Sequence, residues 1–204
     1  NYNTVVGDEA GTAITTGITN SFFGYSAGDA TTTGNSNTAV GRLSLSTNTT
    51  GSNNTALGTN TLYLATTATY NTAIGGSAGA AITTGVQNTL IGGLAGDALT
   101  DADYNVALGY SALSTNVLGS RSTAIGNNAL LTQNPASAAD MYNVGVGHNA
   151  GRAITTGANN TLIGGLAGDT LTDADYNTVV GTGALTTDTL GSKSTALGAY
   201  ALSN

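Results

Sequence analysis

The 204-residue sequence has no cysteine, no tryptophan, one proline and one histidine. Without cysteine there is no disulfide, no thiol nucleophile and no thiolate metal site. A chain of this kind is compatible with an extracellular life that does not depend on disulfides. His148 has no partner motif, so a histidine-based triad lacks its parts and His148 reads as an exposed turn residue. Charged residues make up 7% of the chain and aromatics 5%, with a formal net charge of −7. That balance argues against nucleic acid and anionic membrane as partners, since both reward Lys and Arg. There is no apolar run long enough for a spanning helix, no signal peptide and no lipidation motif. Intrinsic disorder needs low hydrophobicity with high net charge, and 40% hydrophobic residues do not meet it.

Asn, Thr, Ala and 30 glycines fill the space that Lys, Glu and large apolar residues normally take. They are arranged in a repeat. Asn71-Thr72-Ala73-Ile74-Gly75 has relatives starting at Asn3, Asn20, Asn37, Asn54, Asn88, Asn105, Ser122, Asn143, Asn160, Asn177 and Ser194. The step is 17 residues, except for 21 between Ser122 and Asn143. Short β-prone segments punctuated by Gly and Asn at this period predict an all-β parallel solenoid of twelve coils. At the usual strand spacing such an array makes a rod of roughly 55 Å.

The columns carry the argument. The residue before the repeat glycine is Val6, Phe23, Val40, Leu57, Ile74, Ile91, Leu108, Ile125, Val146, Ile163, Val180 and Leu197. Always large and apolar, this column is expected to be the core ladder. The residue before it, from Val5, Phe22 and Ala39 to Val179 and Ala196, is never polar either. Successive strand residues point to opposite faces, so one column fills the interior and the other points out. A continuous apolar stripe is not left in water, which predicts a second chain on that face.

Two further columns shape the coil. The repeat glycine and a second one (Gly17, Gly34, Gly51, Gly85, Gly119, Gly157, Gly191) are expected at corners that need positive φ or close backbone approach. The opening Asn column predicts side-chain amides bonded from coil to coil. A longer period of four coils is visible four residues after each repeat glycine. There the order Gly, Gly, Leu, Leu runs three times, through Gly11-Gly28-Leu45-Leu62, Gly79-Gly96-Leu113-Leu130 and Gly151-Gly168-Leu185-Leu202. The chain therefore divides into three blocks of one continuous array, about 3–70, 71–142 and 143–204 within 1–204. Neither end carries a polar cap, so an excerpt of a longer fibre is expected.

The Asn-Thr-Ala-Ile-Gly and Ser-Thr-Ala-Leu-Gly motifs resemble the YadA-type head repeats of trimeric autotransporter adhesins. They are also similar to the repeat shafts of phage-type tail-fibre proteins, as at Asn48 to Asn53. The resemblance covers essentially the whole chain. It implies a left-handed β-roll, three chains side by side, and apolar columns packed at a three-fold axis. The expected role is a non-enzymatic, extracellular fibre shaft or adhesin head on a virion or cell surface. It would need no cofactor, associate with itself, and support attachment to a host receptor or glycan. The alternative is an ice-binding β-solenoid that uses its Thr ladders.

Few residues stand out as sites. Asp101, Asp103, Asp173 and Asp175 are calcium candidates through their oxygen ligands. Cross-coil ion pairs, Asp103 with Arg121 and Asp175 with Lys193, account for these carboxylates without a metal and are the favoured expectation. Tyr2, Tyr70, Tyr104, Tyr142 and Tyr176 are expected to cover coil edges, with a sugar-stacking stripe as the other reading. The 21-residue coil contains the one proline, and Asn134, Pro135, Ala136 and Ser137 form the candidate recognition loop.

Overall fold

The computed structural model describes residues 2–203. The strands are β1 Thr4–Val6, β2 Ser21–Phe23, β3 Thr38–Val40, β4 Thr55–Leu57, β5 Thr72–Ile74, β6 Thr89–Ile91, β7 Val106–Leu108, β8 Gly119–Ser120, β9 Thr123–Ile125, β10 Ala139–Asp140, β11 Val144–Val146, β12 Thr161–Ile163, β13 Thr178–Val180 and β14 Thr195–Leu197. Twelve of them form one parallel sheet in chain order, while β8 and β10 pair separately. The chain is a parallel β-solenoid, one three-residue strand per coil. Pairing keeps like columns together, as in Thr72↔Thr89, Ala73↔Leu90 and Ile74↔Ile91. The long coil does not shift the register, since Val144 still faces Thr123.

Which face looks inward differs from expectation. The middle strand residue is the interior one: Phe22, Ala39, Ala73, Leu90 and Leu162 are fully buried. The expected core ladder points out instead, with Phe23 39%, Leu57 44% and Leu108 43% exposed and Ile74, Ile91 and Ile125 half-buried. The reason is room. A 17-residue coil is narrow, and its interior also takes the Gly/Leu column and the side chain three residues beyond it.

That crowding explains the four-coil period. All residues of the Gly/Leu column adopt left-handed φ of 49 to 59°. Where glycine stands, a neighbour already fills the space: a Cβ on Gly79 would lie 2.8 Å from Leu90 Cδ1, and one on Gly151 2.6 Å from Leu162 Cδ1. The second coil of each block brings the large middle residue, Phe22, Leu90 or Leu162. Where the middle residue is small, as at Ala39 and Ala107, Leu45 and Leu113 turn into the core and are fully buried. A leucine in the left-handed region costs about 1–2 kcal/mol, and complete burial returns about 1.5–3 kcal/mol. Burial wins.

The repeat glycine has two independent requirements. Its φ lies between 117 and 141° in all twelve coils, outside ordinary L-residue space. At Gly7 a Cβ would also sit 2.4 Å from the carbonyl oxygen of Gly24, one coil on. The second glycine column needs only the close approach: at Gly17 φ is ordinary and the Gly34 oxygen would be 2.5 Å away.

From Asn20 to Asn177 the asparagines of this column are buried and hydrogen-bonded. Asn71 Nδ2 donates to Gly85 O at 2.8 Å, which closes its own coil. Its Oδ1 accepts from Asn88 N at 2.9 Å and Asn88 Nδ2 at 3.1 Å, which ties down the next coil. The ladder therefore bonds coil to coil, as expected, and also staples most coils shut, from Asn3 Nδ2 on Gly17 O to Asn160 Nδ2 on Ala174 O.

Candidate functional site

The first surface feature is the outer face of the twelve-stranded sheet. Alternation puts the first and third residue of every strand outward, so a Thr-rich column runs beside the aliphatic column along the rod. Neither column contains a charged residue in any coil. The side chains from Val6 to Leu197 thus form an unbroken apolar stripe on the outside of the single chain.

The second feature is the long coil. Asn134 remains in the solenoid path, donating its N–H to Thr155 O at 2.8 Å while its Oδ1 accepts from Val117 N at 3.3 Å. Pro135 is buried, and the exposed bulge is Ala136 to Ala138. The expected four-residue loop is therefore displaced towards the C-terminus. β10 then returns against β8, pairing Ala139 with Gly119 and Asp140 with Ser120. Between this return strand and the preceding coils lies an open groove of about 460 Å³, lined by Asp101, Asp103, Ser120, Ala138, Ala139 and Asp140.

The return strand redirects the ion pair. Arg121 Nε meets Asp140 Oδ1 at 2.9 Å, not Asp103, and the guanidinium lies 4.5 Å from the centre of the Tyr104 ring. Its hydrogen bond with Asp140 raises the Arg121 pKa above the ordinary value. Tyr142 Oη donates to Asp140 Oδ2 at 3.2 Å. Asp103 is occupied elsewhere, accepting from Val86 N at 2.7 Å, and Asp175 does the same with Ala158 N. The expected Asp103–Arg121 and Asp175–Lys193 pairs are absent among the described residues. A free backbone N–H on the preceding coil lies closer than the cation on the following one.

The acidic turns work as local caps. Asp101 Oδ1 accepts from Thr84 Oγ1 and Asp173 Oδ1 from Thr156 Oγ1, each one coil back. Among the described residues no group of three or more His, Cys, Asp or Glu is placed to hold a metal ion. His148 is exposed on the corner after its glycine. Tyr70, Tyr104, Tyr142 and Tyr176 are exposed on left-handed corners. They occur in alternate coils, so no two rings occupy neighbouring levels.

Two buried polar groups have roles that the repeat pattern alone does not reveal. Gln133 enters the core where Ser122 interrupts the Asn column, and its Oε1 accepts from Ser122 Oγ at 3.1 Å and Asn143 Nδ2 at 2.9 Å. Its Nε2 is buried without a partner. A glutamine eleven residues after the serine that replaces asparagine, within the same coil, was the available signal. Asp169 is the other. Sister residues Asp29 and Asp97 accept from Ser46 at 2.8 Å and Ser114 at 2.6 Å, whereas the next coil offers Asp169 only Thr186 and its Oδ1 has no partner. Burial raises the Asp169 pKa, with Arg152 opposing the shift.

Comparison with protein-family models, with curated proteins and with solved structures returns no match for this chain.

Proposed function

We propose that the chain is a structural segment of an extracellular fibre or adhesin head that works as a self-associated rod and supports attachment to a host or surface. The outer aliphatic column carries this reading. A charge-free apolar stripe along a whole soluble rod needs a cover. Its repeat of roughly 4.8 Å per level fits best a surface with the same spacing, which another copy of this solenoid supplies. The strip from the Thr column to the corner after the strand is roughly 55 Å by 13 Å, on the order of 700 Å². A standard interface buries about 800 Å² per partner, so the strip is of adequate size. The repeat motifs favour three chains. Light scattering of the intact chain tests this, with a trimer expected and a folded monomer overturning it. The bulge at Ala136 to Ala138 is the proposed attachment feature, because it is an exposed departure from the 17-residue coil. A rod lacking 136–138 should keep its β circular dichroism and lose attachment.

One observation favours a second reading. The Thr column beginning at Thr4 faces outward on a regular parallel sheet, the placement an ice-binding face requires. The other Thr ladder is less suited, since its hydroxyls donate along the rod, as Thr32 Oγ1 does to Thr49 O at 3.0 Å. Thermal hysteresis with ice shaping by the rod would favour ice binding over self-association.

A further inference from the structure

Nearly every described glycine has a reason within the chain. It has positive φ, or its added Cβ would come within 3.0 Å of another atom. Three do not. Gly76 and Gly165 have ordinary φ and nothing within 4 Å of a Cβ, and at Gly93 the nearest atom belongs to the Tyr110 ring at 3.5 Å. All three occupy one column, immediately after the repeat glycine and two residues beyond the outward aliphatic residue. That corner accepts bulk in other coils, where Tyr25 and Tyr110 stand. So neither the backbone nor the neighbours of this chain ask for glycine at 76, 93 or 165.

Glycine weakens a chain entropically by about 0.5–1 kcal/mol relative to alanine, and its structural use is close approach of another backbone or ligand. Resting on the self-association reading above, we infer that Gly76, Gly93 and Gly165 are contact points where a second copy of this chain approaches the corner backbone. The interface then extends past the aliphatic column, across the repeat glycine, to this corner. Three properties of the strip select a second copy as the occupant. The strip has the level spacing of the chain itself, it is about the size a standard interface needs, and its two strand columns lack charges that would recruit an oppositely charged partner.

The test uses the intact chain and the variants Gly76→Tyr and Gly165→Tyr. Tyrosine is chosen because Tyr25 and Tyr110 show that the fold accommodates it in this column. Each variant should keep the circular dichroism and single-chain stability of the parent. Each should also dissociate to monomer at a protein concentration at least tenfold higher than the parent does, as read by light scattering on dilution. Parent-like association by both variants would overturn the corner contacts and leave the self-association reading standing. A parent chain that is monomeric at every concentration would overturn both.

Discussion

Phe22 and Gly28 share one volume. A Cβ on Gly28 would lie 2.5 Å from Phe22 Cε2, and the fully buried ring fills the space that Leu45 fills one coil later. Replacing Phe22 by alanine should cost about 3–5 kcal/mol in urea denaturation. Gly28→Leu alone overpacks the coil and should cost about 1–3 kcal/mol. The double variant Phe22→Ala with Gly28→Leu should be more stable than the sum of the two losses by about 1 kcal/mol or more. Strict additivity would contradict the shared-volume account.

The Asn ladder makes its own prediction. Asn71→Ala orphans Gly85 O and the Asn88 N–H, both held at 2.8–2.9 Å in the parent. Each buried unsatisfied group costs about 1–3 kcal/mol, so a total of about 3 kcal/mol is expected. Hydrogen exchange should show Asn88 losing protection before distant coils do. Unchanged protection there would remove the staple role.

Asp169 gives a pH signature. Its folded pKa is raised by burial, so the folded state holds the proton more tightly than the unfolded state does. The contribution to stability is therefore greatest at acid pH and declines as pH rises from the ordinary carboxylate pKa through the raised one. Asp169→Asn should melt higher than the parent at pH 7, with the gap closing below about pH 3. A gap that widens on acidification would reverse the assignment.

Arg121→Ala should matter little to the fold. The Asp140 pair is half-exposed on both sides, so water screens it and it contributes little to stability. Its effect should be confined to the bulge, seen as faster proteolysis at Ala136 to Ala138 with an unchanged melting point. A large drop in melting temperature would show that the return strand holds the rod together.

Period, strand positions, parallel pairing and the coil-to-coil Asn ladder could all be read from the sequence, because each repeats at the same offset. Face assignment could not be read from polarity, since Ala73 and Ile74 are both apolar. It could be read from size: a large middle residue such as Leu90 accompanies glycine at Gly79 and Gly96, whereas Ala107 accompanies Leu113. Only columns that share an interior need to trade volume in this way. The Arg121 partner was hidden for a different reason. Asp140 reaches it through the return of an irregular loop, and no repeat offset encodes that path.

The outward aliphatic column is the central claim, and the mass in solution of three chains tests it directly. The parent should scatter as a trimer. Ile74→Asp should stay folded by circular dichroism, because Ile74 is half-buried on the outer face, but should scatter as a monomer. Ala73→Asp, one residue earlier and fully buried, should fail to fold, since an isolated buried carboxylate costs several kcal/mol. A parent chain that scatters as a stable monomer, with Ile74→Asp indistinguishable from it, would contradict the account.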